Sequence, residues 1–138
     1  MNIKPIAEVE HFLKEARQII ASTAGKRCQL NDADWAGGRE NKTRRFMSET
    51  GYKKEDMLKV INDLNVHNYS YTAPDVNPNF PNENVWVFGT RAEIVDKDYD
   101  LYIKLKIRNI RENYLVLMSF HPEEPDDERK KLRFPYSN

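Results

Sequence analysis

From Asp100 to Ile110 the chain reads DLYIKLKIRNI, with Leu101, Ile103, Leu105 and Ile107 on one parity and Tyr102, Lys104, Lys106 and Arg108 on the other. Successive side chains of a strand point to opposite faces, so this alternation predicts a strand with one face in the core and one outside it. Two more strands are predicted, VWVFGTRAEI before it and NYLVLMSFHPE after it. Only a few residues near Arg111 and Glu112 separate the last two, which predicts an antiparallel hairpin. Upstream the period changes. Residues 6–24 place Ile6, Val9, Phe12, Leu13, Ala16, Ile19 and Ile20 at helical spacing, with Gly25 as the stop. KRCQL is a candidate short strand, and NDADWAGGRENK reads as a loop with a flexible point at Gly37-Gly38. Residues 40–50 form a short helix about Phe46 and Met47, ended by Gly51, and KKEDMLKVINDL a further helix through Met57, Leu58, Ile61 and Leu64. The stretch YTAPDVNPNFPNEN, with Pro74, Pro78 and Pro81, suits neither a helix nor a central strand.

Helices first and strands afterwards is the order of an α+β domain, with the helices packed on one face of an antiparallel sheet. At 138 residues the chain is read as a single domain, 1–138, with a polar tail from about 124 to 138 held by Phe134 and Tyr136. The apolar share of 39% and charged share of 32% fit a water-exposed globular chain, with no apolar run of transmembrane length. The N-terminus lacks the apolar core of a secretory signal, and the single Cys28, read as a small buried apolar residue, suits the cytoplasm.

Charge narrows the picture. With 22 basic and 22 acidic residues the net charge is zero, so any nucleic-acid surface is local. His11, His67 and His121 are far apart, and no metal-binding, phosphate-loop or serine-hydrolase motif occurs. No cofactor is expected.

What remains is the polar face of the sheet. A two-residue turn at Arg111-Glu112 would set Lys104 opposite Ser119 and Tyr102 opposite His121; a three-residue turn would put Met118 and Phe120 there instead. A phenol, an ammonium, a hydroxyl and an imidazole on one patch suit phosphodiester cleavage in RNA. His121 can take or give a proton near neutral pH, and Lys104, Lys106 and Arg108 can hold the phosphate. Tyr102 can stack on a base or orient the attacking hydroxyl. Trp86 is a second stacking candidate. Each has a plainer reading. Alternate lysines keep an exposed strand soluble, Tyr102 covers lysine stems, Trp86 between two valines reads first as core, and His121-Pro122 ends a strand.

The ordered set VWVFG, DLYIKLKI, MSFHPEE and FPY, preceded by NKTRRFMSETGYKKEDMLKVINDLNVHNYS, resembles the MqsR-like toxins, a branch of the RelE/ParE superfamily of type II toxin–antitoxin ribonucleases. The likeness spans roughly residues 40–136. It implies a RelE-like α+β fold with a twisted antiparallel sheet. It also implies metal-independent, sequence-selective cleavage of single-stranded mRNA to a 2′,3′-cyclic phosphate, a cognate antitoxin, the ribosome as a further candidate partner, and no membrane. The family's strand tyrosine matches Tyr102 and the lysine two residues on matches Lys104. The basic group closing the last strand falls on His121, where the founding toxin has lysine. Two family positions are not kept: Val87 stands where that toxin has a polar residue, and no cation stands near Tyr71.

The expected site is therefore Tyr102, Lys104 and His121 as catalytic residues, with Lys106, Arg108, Ser119 and Trp86 contacting RNA. Two other readings stay open. One is a binding module that uses the same basic face for RNA or a protein without cutting; the other is an inactive member whose charged strand only keeps the sheet soluble.

Overall fold

A computed structural model describes residues 2–31, 40–124 and 131–137. The predicted flexible point at Gly37-Gly38 and most of the charge run after Glu123 lie outside the described residues. Helix α1 (Ile6–Thr23) ends where Ala24 turns left-handed, at φ 50°. Helix α2 (Lys42–Thr50) starts at Asn41, whose side chain accepts the Arg44 N–H and so satisfies one of the open amides of the first turn. Gly51, at φ 76°, supplies the left-handed stop that favours glycine. In α3 (Lys54–Asn62) the Asp56 carboxylate reaches back to the Lys53 N–H at 2.9 Å.

The strands are β1 (Cys28–Leu30), β2 (Tyr69–Pro74), β3 (Asn84–Ile94), β4 (Lys97–Ile110) and β5 (Glu112–Pro122), joined in one sheet of order β1-β5-β4-β3-β2. Three neighbouring pairs are antiparallel, but β1 runs parallel to β5, so the sheet is mixed rather than wholly antiparallel. A parallel neighbour requires a long crossover, and the two helices and three strands between β1 and β5 supply it. The sequence pattern did not show β2. It lies at the sheet edge, where Pro74 costs no ladder bond.

The three helices cover one face. Val9, Leu13, Phe46, Met57 and Ile61 pack there against Phe88, Ile103, Leu105, Leu117 and Phe120. Cys28 is buried in this core, and burial raises its thiol pKa against a smaller lowering by Lys54. No helix among the described residues is long and apolar enough to cross a membrane.

The opposite face is not simply wet. Val87, Tyr102 and Leu132 form a second buried cluster with Tyr71 packed against it. Leu132 arrives from the tail, whose residues 131–137 dock across β3. A Cβ at Gly89 would meet Leu132 Cδ1 at 2.5 Å and Phe134 Cζ at 3.0 Å, so the missing side chain makes the seat. Arg133 N–H donates to Ser70 Oγ at 3.0 Å, Tyr136 Oη donates to the Lys4 carbonyl at 2.7 Å, and the Tyr136 ring stacks on Tyr69.

Candidate functional site

The β4–β5 hairpin closes about Arg111, at φ 64°, pairing Asn109 with Asn113 and Ile110 with Glu112. This is not the expected two-residue turn. Carried on unbroken, that register would set Met118 against Lys104 and Phe120 against Tyr102. A bulge between Lys104 and Leu105 absorbs Met118 as an extra residue, and beyond it Lys104 pairs with Ser119 and Tyr102 with His121. Packing explains the switch. Leu115 and Leu117 bury on the helix side, and so does Phe120, three residues on from Leu117, which strict alternation forbids. The bulge lets all three bury and turns Ser119 and His121 onto the polar face.

A second bulge does the same on β2. Tyr69 pairs with Phe88 in the core, Ser70 is skipped, and Tyr71 pairs with Val87. Strict alternation would have sent Tyr71 into the core behind Tyr69. Instead its hydroxyl lies 3.2 Å from that of Tyr102, above β3. The Tyr102 ring in turn stacks on His121, with centroids 5.4 Å apart and planes 19° apart. His121 Nδ1 sits 2.9 Å from the Pro122 carbonyl. A carbonyl oxygen only accepts, so Nδ1 is the donor in this contact.

Beyond Leu30 the edge of β5 is no longer paired by β1, and Thr43 takes its place: Thr43 Oγ1 accepts the Phe120 N–H at 2.9 Å. The start of α2 thus lies against the end of β5, and a cleft of about 170 Å³ opens between them. Asn41, Lys42 and Thr43 line one side; Tyr102, Lys104, Ser119 and His121 line the other. Glu40 and Glu124 line it too, and Glu124 pairs with Lys42 at 3.3 Å. The sequence reading missed Tyr71 and the whole α2 side. A phase slip between Leu117 and Phe120 was the one visible trace of a bulge.

Two expected RNA contacts are spoken for by the protein itself. Lys106 is 2% exposed, with Nζ 2.6 Å from Asp75 Oδ2 and 2.7 Å from Glu83 Oε1. Arg108 Nε lies 3.4 Å from Glu83 Oε2. Phe80 caps both cations, 4.1 Å from Lys106 Nζ and 3.9 Å from Arg108 Cζ, measured to its centroid. The Pro- and Asn-rich loop is therefore folded over the far half of β4. It is held by Asp75 and Asn77, whose side chains accept the N–H two residues on. Burial pushes the Asp75 carboxyl up, but its bonds from Lys106 and the Asn77 N–H, with the charges of Lys106 and Lys104, outweigh this and hold it below its ordinary value.

Trp86 is likewise not brought to the group. It pairs with Leu105, so it points to the helix side, and its ring stacks on Phe12 with centroids 4.5 Å apart. The polar face thus divides: Lys106 and Arg108 lie under the loop, while Tyr102, Lys104, Ser119 and His121 gather at the cleft.

The family described as motility quorum-sensing regulator, toxin of MqsA, matches residues 29–122, from the second residue of β1 to the last of β5. No curated protein and no solved structure matches the chain.

Proposed function

Since the chain belongs to the MqsR toxin family, the toxin half of a toxin–antitoxin pair, we propose that it is a metal-independent, sequence-selective endoribonuclease that cuts single-stranded mRNA in the cytoplasm. Membership also gives it a cognate antitoxin as partner. The observation that carries the reading is the meeting of Tyr102, Lys104, Ser119 and His121 at one cleft, two strands being bulged or paired to put them there.

The chemistry follows from those groups. His121 Nε2 takes the proton of a ribose 2′-hydroxyl, whose oxygen then bonds to the adjacent phosphorus. Charge gathers on the phosphate oxygens, where the Lys104 ammonium stabilises it. The bond to the 5′-oxygen breaks, that oxygen leaves with a proton from solvent or from the imidazolium, and a 2′,3′-cyclic phosphate remains. Tyr102 orients the attacking hydroxyl or stacks on a base, and Ser119 bonds the phosphate. The ribosome is a further partner if the RNA is cut during translation.

The test is purified protein with EDTA and a long single-stranded RNA, its ends mapped by primer extension, with His121→Ala in parallel. Discrete cuts bearing cyclic phosphates, slowed about 100-fold or more in the variant, are expected. Intact RNA with folded wild-type protein, with and without ribosomes, moves the weight to a non-catalytic binding module.

A further inference from the structure

The two bulges are independent in sequence, one at Ser70 on β2 and one at Met118 on β5, yet they serve one place. Bulges re-aim side chains, and they recur beside active sites. The β5 bulge delivers His121 to Tyr102. The β2 bulge delivers Tyr71 to the same Tyr102 from the other side. Between them β3 contributes Val87, which pairs with Tyr71, and Gly89, which pairs with Tyr102. Leu132 and Phe134 roof Gly89.

The result is a row of three side chains: the Tyr71 hydroxyl 3.2 Å from the Tyr102 hydroxyl, and the Tyr102 ring stacked on His121. From this row we propose that Tyr71 is a positioning residue for the cleavage reaction, setting the Tyr102 phenol and, through its ring, the His121 imidazole. The inference rests on the ribonuclease reading and extends it to a residue outside the cleft lining.

The physical basis is directional. A phenol has one proton to donate and can accept as well. Either hydroxyl can donate across this contact; where Tyr71 donates to Tyr102 Oη, the Tyr102 proton is directed away from Tyr71. Loss of the Tyr71 hydroxyl removes one of the contacts that orient the Tyr102 phenol. Tyr71 pairs with Val87 and packs into the Val87, Tyr102 and Leu132 cluster, so its own ring is held by apolar contacts that survive loss of the hydroxyl.

The experiment is Tyr71→Phe, alone and combined with Tyr102→Phe, read by single-turnover cleavage and by NMR of the His121 ring across pH. Tyr71→Phe should lower kcat about fivefold to tenfold, the worth of one hydrogen bond, with KM unchanged. In the Tyr102→Phe background it should change nothing further, and its His121 ring signals should match those of Tyr102→Phe. An equal loss in both backgrounds, or His121 signals untouched by Tyr71→Phe, overturns the positioning role. Should wild-type protein cut no RNA at all, the ribonuclease reading falls first. The NMR comparison still decides whether Tyr71 sets the imidazole.

Discussion

Lys106 and Asp75 form a contact of 2.6 Å that is largely shielded from solvent, their side chains being 3% and 5% exposed. A strand position that alternates with core residues and carries a lysine is thereby committed to holding a loop. Removing one partner of a buried pair leaves a charge without compensation, at a cost of several kcal/mol. Glu83 stays 2.7 Å from Lys106 and softens the loss. Asp75→Asn should therefore destabilise the fold by about 3 kcal/mol at pH 7, read as a lower urea midpoint at unchanged slope. Adding Lys106→Met should recover part of that loss. A double variant worse than the sum of its parts would sink the account.

The same contact sets a pH dependence. Although burial works to raise it, the Asp75 carboxyl lies below its ordinary value because Lys106, the Asn77 N–H and the charge of Lys104 prevail. A depressed folded-state pKa means that the folded chain binds fewer protons than the unfolded one. The stability it contributes is full above the ordinary carboxylate range and is lost as pH falls through the lowered value. The gap in urea midpoint between wild type and Asp75→Asn should thus be widest near pH 7. It should narrow below about pH 4, where an unfolded Asp begins to protonate. A gap that stays constant down to pH 2 contradicts this.

The division of the polar face separates two kinds of cation. Lys104 lines the cleft, whereas Arg108 faces Glu83 and Phe80 under the loop. Each phosphate contact adds about 0.7 to the slope of log affinity against log salt for single-stranded nucleic acid. Lys104→Ala should lower that slope by about 0.7, measured by anisotropy on a 2′-O-methyl RNA that cannot be cut. Arg108→Ala should leave the slope alone and lower the urea midpoint instead. The reverse pattern would mean that the loop gives way to RNA.

How much of this was legible follows from what each signal measures. Period two marked β3, β4 and β5, and period 3.6 marked the three helices, because burial on one face leaves that imprint on the sequence. It left little on β2, where YSYTAP carries a bulge and a proline within six residues. The pairing of Tyr102 with His121 was reached through a turn the chain does not make. The Arg111 tip is off by one residue and the Met118 bulge restores it. The ion pairs of Lys106 and Arg108 were not legible for a different reason. Alternation tells which face a side chain takes, not what covers that face. The carboxylates that neutralise them come from a loop more than twenty residues upstream in sequence. The α2 wall of the cleft was invisible for the same cause, since Thr43 meets Phe120 across 77 residues.

Trp86 supplies the last test, because it separates a face from a residue type. A half-exposed tryptophan invites the reading of a stacking platform for a base, yet this ring lies on Phe12 of α1, on the side of the sheet away from Lys104. It lines instead a groove with Glu8, His11 and Glu15 of α1. Offset stacking and burial make it part of the α1–sheet contact. Trp86→Ala should cost about 3 kcal/mol of stability, the low end for such a truncation because the ring is only partly buried. Affinity for the uncleavable RNA should stay within twofold at a temperature where the variant is folded. A loss of RNA affinity of tenfold or more, with the fold intact by circular dichroism, would place RNA on the helix side of the sheet and overturn the division of faces argued above.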